Sequence, residues 1–251
     1  MYTTEEIRKY LDQEGITPRT LDEVERIAGL PPLELDKRED RYEVMASGGG
    51  EISVYDLLKS ASREEIIWKL EVLQKLVGNL EGKCVLDAGC GTALEAVFLG
   101  SRMSSGHVYA VDSEEAMIAR AFTRRQRYPS SRVKIGVADI HELPFSDKTF
   151  DHVLAFNCLT ESARVQGKSF QDQVREKIRE LRRVTKPLGD IIASGQYFGM
   201  LEGMTQIAQN QKAFEENGCK VIGIEDGQAT VISYQGKTGI VYNWMMHAKR
   251  T

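Results

Sequence analysis

An apolar run that leads directly into a glycine-rich turn constrains the fold of this chain more than any other feature. It occupies residues 85–93, with the sequence VLDAGCGTA. Gly89 and Gly91 allow the backbone to turn sharply from a strand into a helix and to approach a ligand closely, as in the crevice of doubly wound α/β proteins. The turn therefore predicts an α/β fold with a ligand bound at a strand end.

Asp87 bears on which ligand the turn binds. In a dinucleotide site the pyrophosphate lies on this turn and on the helix N-terminus behind it, where a carboxylate repels it. S-adenosylmethionine instead carries an ammonium and a sulfonium group, which the same carboxylate attracts. The third glycine of the dinucleotide pattern is also absent, because Leu94 occupies its position. The turn alone is a weak signal and leaves both ligands open.

Asp112 stands where a nucleotide site needs an acid. It follows the apolar run at residues 108–111. Nucleotide folds place the acid that accepts the ribose hydroxyls about 20 residues after the glycine turn. The alternative is a helix-capping acid, because Ser113 and the two glutamates after it would begin a helix well. We favour the ribose role, since position and residue type agree.

Two later runs of apolar residues also end in candidate site residues. The run at residues 133–137 leads to Asp139 and Ile140, which we expect near the amino group and one face of an adenine ring. The run at residues 150–156 reads as a fourth strand, and Asn157 stands at its C-terminal end.

In this order, the motifs resemble the class I S-adenosylmethionine-dependent methyltransferases, particularly the branch with the ubiquinone and menaquinone biosynthesis C-methyltransferases. The resemblance covers roughly residues 81 to 196 and includes the segments ADIHELPFSDKTFD and LRRVTKPLG. It implies S-adenosylmethionine as cofactor and S-adenosylhomocysteine as product. The chain departs from the pattern at Leu188, because family members often have two glycines after the proline of that turn.

The resemblance also implies which residues bind the cofactor. It gives no catalytic residue, because the chain offers no paired carboxylates and no Ser-His-Asp ordering, and we expect no metal. The implied cofactor-binding residues are Asp87, Gly89 and Gly91 at the methionine end, Asp112 at the ribose, Ser113 and Met117 around the ribose and adenine, Asp139 and Ile140 at the adenine, and Asn157 near the transferred methyl group.

His141 and Cys158 each have a functional and a structural interpretation. His141 could act as a base beside the adenine, but a loop histidine is more often solvated. Cys158 could be a nucleophile or a ligand for a soft metal or metalloid, as a cysteine at this place is in the related arsenite methyltransferases. No cysteine occurs in the first 83 residues to complete a three-thiol site, so we expect a small buried residue.

The residues before the turn predict a helical cover over the substrate, so we divide the chain into residues 1–80 and a methyltransferase core at 81–251. Thr3 with Glu6, and Thr20 with Glu23, fit capping boxes of two short helices, and a long helical pattern follows from residue 54 to 80. The basic residues 120–132 read as the solvated face of a later helix.

The glycines at residues 48–50 are the candidate hinge of this cover. We therefore expect residues 1 to about 50 to be mobile without ligand and to close over the crevice. An oligomer contact is the alternative role for the segment, and a homodimer is possible. Four aromatic residues are candidates for lining a small-molecule pocket: Tyr42, Tyr55, Tyr197 and Phe198.

The C-terminal part predicts the antiparallel end of a seven-stranded, mostly parallel sheet with helices on both faces. We expect a helix at residues 201–217 and a strand at 219–224. Strand-like runs follow at 228–234 and 239–247, with Gly236 in a hairpin turn between them. One run should be the antiparallel strand, and the spare an edge strand or part of the cover.

Composition narrows the function. The chain has a net charge of −4 and is 41% apolar, which makes nucleic acid an unlikely partner and fits a globular protein. No apolar run approaches the length of a membrane span, so we expect a cytoplasmic protein. The leading interpretation is a methyltransferase that acts on a small molecule. The alternatives are a methyltransferase that acts on protein or transfer RNA, and a non-catalytic S-adenosylmethionine-binding regulatory subunit.

Overall fold

From residue 84 onward the chain builds one sheet with helices, after a helical N-terminal part. The computed structural model describes residues 1–29, 41–47, 52–159, 168–198, 200–234 and 237–251. The helices are α1 (Thr4–Gln13), α2 (Leu21–Ala28), α3 (Arg41–Ala46), α4 (Val54–Ala61), α5 (Arg63–Val77), α6 (Leu94–Gly100), α7 (Glu115–Gln126), α8 (Phe170–Val184) and α9 (Met200–Glu216). The strands are β1 (Cys84–Ala88), β2 (His107–Asp112), β3 (Val133–Val137), β4 (Phe150–Phe156), β5 (Thr185–Phe198), β6 (Cys219–Tyr234) and β7 (Lys237–Arg250).

The sheet is doubly wound. Its seven strands lie in the order β3-β2-β1-β4-β5-β7-β6. Neighbours from β3 to β5 pair in parallel, whereas β7 runs antiparallel to both β5 and β6. The strand order reverses between β1 and β4, and the crevice at the carboxyl ends of such strands is where open α/β sheets bind ligands. The predicted fold class is therefore confirmed.

Helices cover both faces of this sheet. On one face α1, α5, α6 and α7 pack into a core that includes Ile66, Val97 and Ile118. On the other face α8 and α9 pack into a second core that includes Ile178 and Phe214. The apolar spacing along each helix therefore sets the face that is buried against the strands.

The C-terminal strands differ from the prediction in one respect. Residues 219–224 and 228–234 belong to a single strand, β6, which pairs with β7 from Cys219 opposite Arg250 to Tyr234 opposite Lys237. Two register shifts, between Val221 and Gly223 and between Asp226 and Ala229, absorb the interruption that the sequence suggests. The expected spare run therefore lies at the edge of the sheet, as one alternative had it, but as part of β6 and not as a separate strand. Gly236 lies outside the described residues.

The turn where the chain departs from the family pattern has an unusual backbone. Leu188 adopts a φ of 61°, in the left-handed region that favours glycine, and its side chain is exposed. At the following Gly189, an added Cβ would stand 2.8 Å from the carbonyl oxygen of Asp151. The second of the two residues after the proline must therefore be glycine, whereas the first tolerates leucine in a strained conformation.

The N-terminal helices begin as predicted. The Thr3 hydroxyl accepts the Glu6 N–H at 3.2 Å, and the Glu6 carboxylate accepts the Thr3 N–H at 2.7 Å. Thr20 and Glu23 form the same capping box at the start of α2. The predicted long helix is instead two helices, because Ser62 has a non-helical backbone (φ −117°, ψ 28°) between α4 and α5.

α1 is packed into the core. Ile7, Leu11 and Ile16 are fully buried in the same cluster as Val85 of β1, and the Tyr10 hydroxyl donates to the carbonyl oxygen of Leu94 at 2.8 Å. Such packing does not fit a segment that swings as one lid, and we therefore correct that expectation for α1. Residues 48–50, the candidate hinge, lie outside the described residues, as do the side chains of Tyr42, Tyr197 and Phe198.

Arg124 fastens α1 and α4 to α7. Its guanidinium is buried, donates to the Glu14 carboxylate at 2.6 Å and to the Thr92 carbonyl oxygen, and pairs with Asp56 at 3.0 Å. Arg127 also binds Glu14. The expectation that these arginines form a solvated face was therefore wrong for Arg124, because its acidic partners come from distant parts of the chain. Among the described residues, no helix combines the length and apolar character needed to cross a membrane.

Candidate functional site

A pocket opens at the carboxyl ends of β1, β2 and β4, where the strand order reverses. Its walls come from the glycine turn after β1, the segment after β2, the loop after β3 and the residues that follow β4. Helices α4 and α8 each add a side chain. The lining residues are Tyr55, Gly89, Gly91, Asp112, Ser113, Glu114, Met117, Ala138, Asp139, Ile140, His141, Phe156, Asn157, Cys158 and Lys177.

The glycine turn has the geometry that the sequence predicted. Gly89 and Gly91 have φ angles of 75° and 53°. A Cβ on Gly89 would stand 2.5 Å from the Cβ of Cys158, and one on Gly91 would stand 3.3 Å from the ring of Tyr55. Both positions therefore require glycine for backbone conformation, and Gly89 also requires it for space.

Cys158 is half-buried and lines the pocket, so the expectation of a buried residue holds only in part. Its thiol donates to the carbonyl oxygen of Ala88 at 3.0 Å, and its small side chain fills the space that Gly89 leaves. Lys177 of α8, which is buried, donates to the Cys158 carbonyl oxygen at 2.9 Å. The side chain of Lys177 thereby holds the residues directly after β4, Cys158 and Leu159.

Asp112 holds the backbone around the pocket, and its predicted role at the ribose stays a prediction. Its carboxylate accepts the Gly91 N–H at 2.8 Å and the Glu114 N–H at 3.0 Å, so it holds the glycine turn and the start of the α7 segment. Burial raises the pKa of Asp112, and these backbone donors offset part of the rise. A carboxylate offers roughly four lone-pair positions. With backbone donors from Gly91, Ser113 and Glu114, the carboxylate keeps at least one position for a ribose hydroxyl.

Asp139 and His141 form a pair on the opposite wall. The Asp139 carboxylate accepts the His141 backbone N–H and approaches the His141 Nδ1, each at 2.8 Å. Burial raises the pKa of Asp139, but these two contacts with His141 outweigh it and lower the pKa overall. Because a carboxylate only accepts, Nδ1 carries a proton, and in the neutral form of the ring Nε2 is a lone-pair acceptor.

The Nε2 atom of His141 is buried and has no hydrogen-bond partner in the protein. It belongs to the pocket wall beside Asp139 and Ile140. An acceptor at this place suits the exocyclic amino group of an adenine ring. His141, which the sequence favoured as solvated, is therefore a site residue. The signal was its position two residues after Asp139, where a carboxylate can orient the ring.

Asn157 lies at the end of β4 in a left-handed backbone conformation, with a φ of 57°. Its N–H donates to the carbonyl oxygen of Ser194 at 3.0 Å. Its side-chain Nδ2 donates to the carboxylate of Glu65 at 2.9 Å, and its Oδ1 accepts from the Ser194 hydroxyl at 3.4 Å. A strained residue fixed by three contacts at a pocket wall is typical of a functional position.

Asp87 is not among the lining residues. Its side chain is buried, and burial together with the nearby Glu95 raises the pKa of Asp87 to about 8. The carboxyl group is therefore mostly protonated at pH 7. An approaching cationic ligand favours the ionised form of Asp87, so its role at the methionine end stays a prediction.

Lys69 of α5 balances the negative charge of two buried carboxylates near Asp87. Its ammonium lies 3.3 Å from Glu65 and 3.1 Å from Glu95, and all three side chains are buried. Burial raises the pKa of Glu95, but Lys69, Lys59 and hydrogen bonds together outweigh it and lower that pKa to about 2. Glu65 has a lowered pKa for the same reason. Sequence reasoning missed Glu65 and Lys69, because their four-residue spacing is common on exposed helices.

Eight of the nine predicted cofactor residues therefore line one pocket, with Asp87 as the exception. Tyr55, one of the four predicted aromatic residues, joins them from α4. The arrangement provides a close-approach turn, an acid with spare acceptor positions and an acceptor atom for an amino group. These features suit an adenosine-type ligand.

Comparison with known proteins agrees with this geometry. The profile of a family described as a methyltransferase domain matches residues 85–189. The 2-phytyl-1,4-naphtoquinone methyltransferase of Trichormus variabilis is 32% identical over 140 residues, which are 53% of this chain and 56% of that protein. The demethylmenaquinone methyltransferase of Halalkalibacterium halodurans is 28% identical over 142 residues, which are 55% of this chain and 54% of that protein. This chain thus spans about half the length of these curated relatives.

A solved structure extends the likeness in fold. The magnesium protoporphyrin IX methyltransferase of Synechocystis, with bound SAH, superposes with a TM-score of 0.55 at 18% identity. The superposition covers 82% of this chain and 91% of that one. The resemblance found in the sequence is therefore confirmed: residues 85–189 form a methyltransferase domain, in a sheet with the class I S-adenosylmethionine-dependent methyltransferase fold.

Proposed function

We propose that this protein transfers a methyl group from S-adenosylmethionine to a small-molecule acceptor. The observation that carries the proposal is the single pocket in which Gly89, Gly91, Asp112, Asp139 and Asn157 meet at the strand ends. The methyltransferase-domain match over residues 85–189 supports it independently.

The residues of the pocket suit the parts of this donor. The glycine turn gives backbone access for the methionine end, Asp112 accepts the ribose hydroxyls, and His141 with Ile140 receives the adenine. The bound donor supplies an electrophilic methyl group on a sulfonium. The protein's contribution is placement, because holding two reactants in line can supply about 7 to 11 kcal/mol at best. Asn157, at the edge of the pocket, stands where the acceptor must arrive.

We also propose that residues 1–80 supply the acceptor side of the site and residues 81–251 the donor side. Tyr55 of α4 supports this division, because its ring lies against Gly91 and lines the pocket. The net charge of −4 and the names of the quinone-methylating relatives favour a small molecule over nucleic acid. A cytoplasmic location fits such a role.

The test is to incubate the protein with methyl-labelled S-adenosylmethionine and a size-fractionated cell extract. We expect label in the small-molecule fraction with the native protein and none with Asp112→Ala. Label in RNA or protein would show that the acceptor is a macromolecule and not a small molecule. Binding of S-adenosylhomocysteine in calorimetry, without labelling of any fraction, would favour a regulatory subunit instead.

A further inference from the structure

A second cavity adjoins the donor pocket and shares two of its wall residues, Tyr55 and Asn157. Its volume is about 200 Å³. Because Asn157 lies in both walls, a molecule in the second cavity would meet the donor pocket at the place where the transferred methyl group is expected.

The two side-chain amides in the wall of this cavity have a fixed orientation. Glu65 accepts from Asn157 Nδ2 at 2.9 Å with one carboxylate oxygen and from Gln196 Nε2 at 2.5 Å with the other. Burial raises the pKa of Glu65, but Lys69, Lys59 and the hydrogen bond from Asn157 together outweigh it and lower the pKa, so the group is ionised. An ionised carboxylate only accepts hydrogen bonds. Both amides must therefore turn their nitrogens toward Glu65.

The side-chain nitrogen of Gln196 makes a second hydrogen bond. Its Nε2 also donates to Asn243 Oδ1 at 3.2 Å, so both of its N–H groups are used within the protein. The group with which Gln196 can meet a ligand is therefore the carbonyl oxygen, Oε1. With Glu65 beside it, the polar end of the cavity is rich in hydrogen-bond acceptors.

The remaining wall is largely apolar. Leu21 of α2, Met45 of α3 and Leu58 of α4 come from three different helices of the N-terminal part. Lys59 also lines the cavity, with its ammonium 5.2 Å from the centre of the Tyr55 ring. This fixed positive charge disfavours a second cation and leaves a neutral donor group as the better match for Gln196.

We propose that the second cavity binds the methyl acceptor, and that the acceptor is an apolar ring carrying a hydroxyl group. The hydroxyl donates to the Gln196 oxygen, and the ring packs on Leu21, Met45 and Leu58. This inference rests on the proposed function and specifies its acceptor. Transfer to the hydroxyl oxygen forms an O–C bond, breaks the S–C bond of the sulfonium, leaves S-adenosylhomocysteine and releases the hydroxyl proton to solvent.

Calorimetry with two matched probes tests the inference. In the presence of S-adenosylhomocysteine, 1-naphthol should bind about tenfold more tightly than 1-methoxynaphthalene, because only the hydroxyl can donate to Gln196. Equal binding of the two probes, or binding of neither, would overturn the inference. Titration of S-adenosylhomocysteine alone reports on the proposed function separately, and the probes are also titrated without it.

Single substitutions test which residues cause the preference for the hydroxyl-bearing probe. Gln196→Met removes the acceptor oxygen but keeps a side chain of similar size, so the two probes should bind with equal affinity. Glu65→Gln should reduce the preference as well, because the new amide no longer fixes the nitrogens of Asn157 and Gln196. Leu58→Ala should weaken the binding of both probes by the same factor. The matched control is Gln211→Met on α9, a half-buried glutamine that donates to Glu215 at the surface and should change the binding of neither probe.

Unchanged binding of S-adenosylhomocysteine by Gln196→Met confirms that the variant is folded, because Gln196 does not line the donor pocket. A probe preference that persists in Gln196→Met would contradict the role given to this residue. Should Gln196→Met fail to fold, Glu65→Gln carries the same test.

Discussion

Asp112 holds two backbone segments of the pocket and is the proposed acceptor of the ribose hydroxyls. Asp112→Ala leaves two ribose hydroxyls without their acceptor and frees the Gly91 and Glu114 N–H groups that now hold the turn. Because bonds to a charged group are the stronger ones, we expect a loss of about 2 to 3 kcal/mol in S-adenosylhomocysteine binding, measured by calorimetry. Unchanged affinity in this variant would remove Asp112 from the site.

The raised pKa of Asp87 predicts how the stability of the protein depends on pH. Its pKa rises from the ordinary 3.8 to about 8 in the folded protein. Between these values the folded state holds a proton that the unfolded state has lost, so the contribution of Asp87 to stability falls as pH rises from about 4 to 8. Each pKa unit corresponds to about 1.4 kcal/mol.

Asp87→Asn removes this titration. We expect the free energy of unfolding of the variant, relative to the native protein, to increase from pH 5 to pH 9 in urea denaturation. The difference between the two proteins isolates Asp87 from the other titrating groups. A difference that is constant with pH would mean that the carboxyl is ionised in the folded state.

Most of the candidate site was predictable at the level of single residues, because it follows strand ends. Gly89, Asp112 and Asp139 stand at fixed positions after apolar runs. The role of Glu65 was not predictable, since it depends on Asn157 and Gln196, which lie far away in the sequence. Long-range pairing of this kind leaves no local pattern.

At the scale of elements, α5 carries one buried and one exposed lysine ion pair. Lys69 lies between Glu65 and Glu95 with 1% of its side chain exposed, whereas Lys75 pairs with Glu225 and is 69% exposed. Lys69→Met leaves two buried carboxylates without their cation and should cost about 3 to 5 kcal/mol. Lys75→Met should cost under about 1 kcal/mol.

Chemical denaturation of both variants measures this contrast. Equal losses for Lys69→Met and Lys75→Met would show that the buried pairs add nothing beyond a surface pair. We expect the loss of unfolding free energy in Lys69→Met to be smaller at acidic pH. In the variant Glu65 has no cation beside it, and protonation then makes it neutral.

Helix starts were predictable where the signal is local, as at Thr3 and Thr20, whose capping partners lie three residues ahead. The end of α4 at Ser62 was not, because the apolar pattern continues through it. The fusion of two strand-like runs into β6 escaped prediction for a related reason: a register shift keeps the pairing where the sequence suggests an end. The burial of Arg124 depends on Glu14 and Asp56 and equally lacks a local signal.

At the scale of the whole molecule, the N-terminal helices differ in how firmly they join the core. Leu11 of α1 is fully buried, whereas Ile27 of α2 is 51% exposed. Leu11→Ala should cost about 2 to 5 kcal/mol of unfolding free energy, and Ile27→Ala under about 0.5 kcal/mol. A near-zero cost for Leu11→Ala would restore α1 to a mobile cover, and hydrogen exchange should agree, with α1 amides as protected as those of β1.

The wall shared by the two cavities has a thermodynamic consequence. Tyr55 and Asn157 cannot adjust to one occupant without changing the surface offered to the other. The affinities of the two ligands are then linked, and linkage is reciprocal: the factor by which the first ligand strengthens or weakens the second equals the factor in the opposite direction. Product left in one cavity would thus regulate entry to the other, with no separate regulatory site.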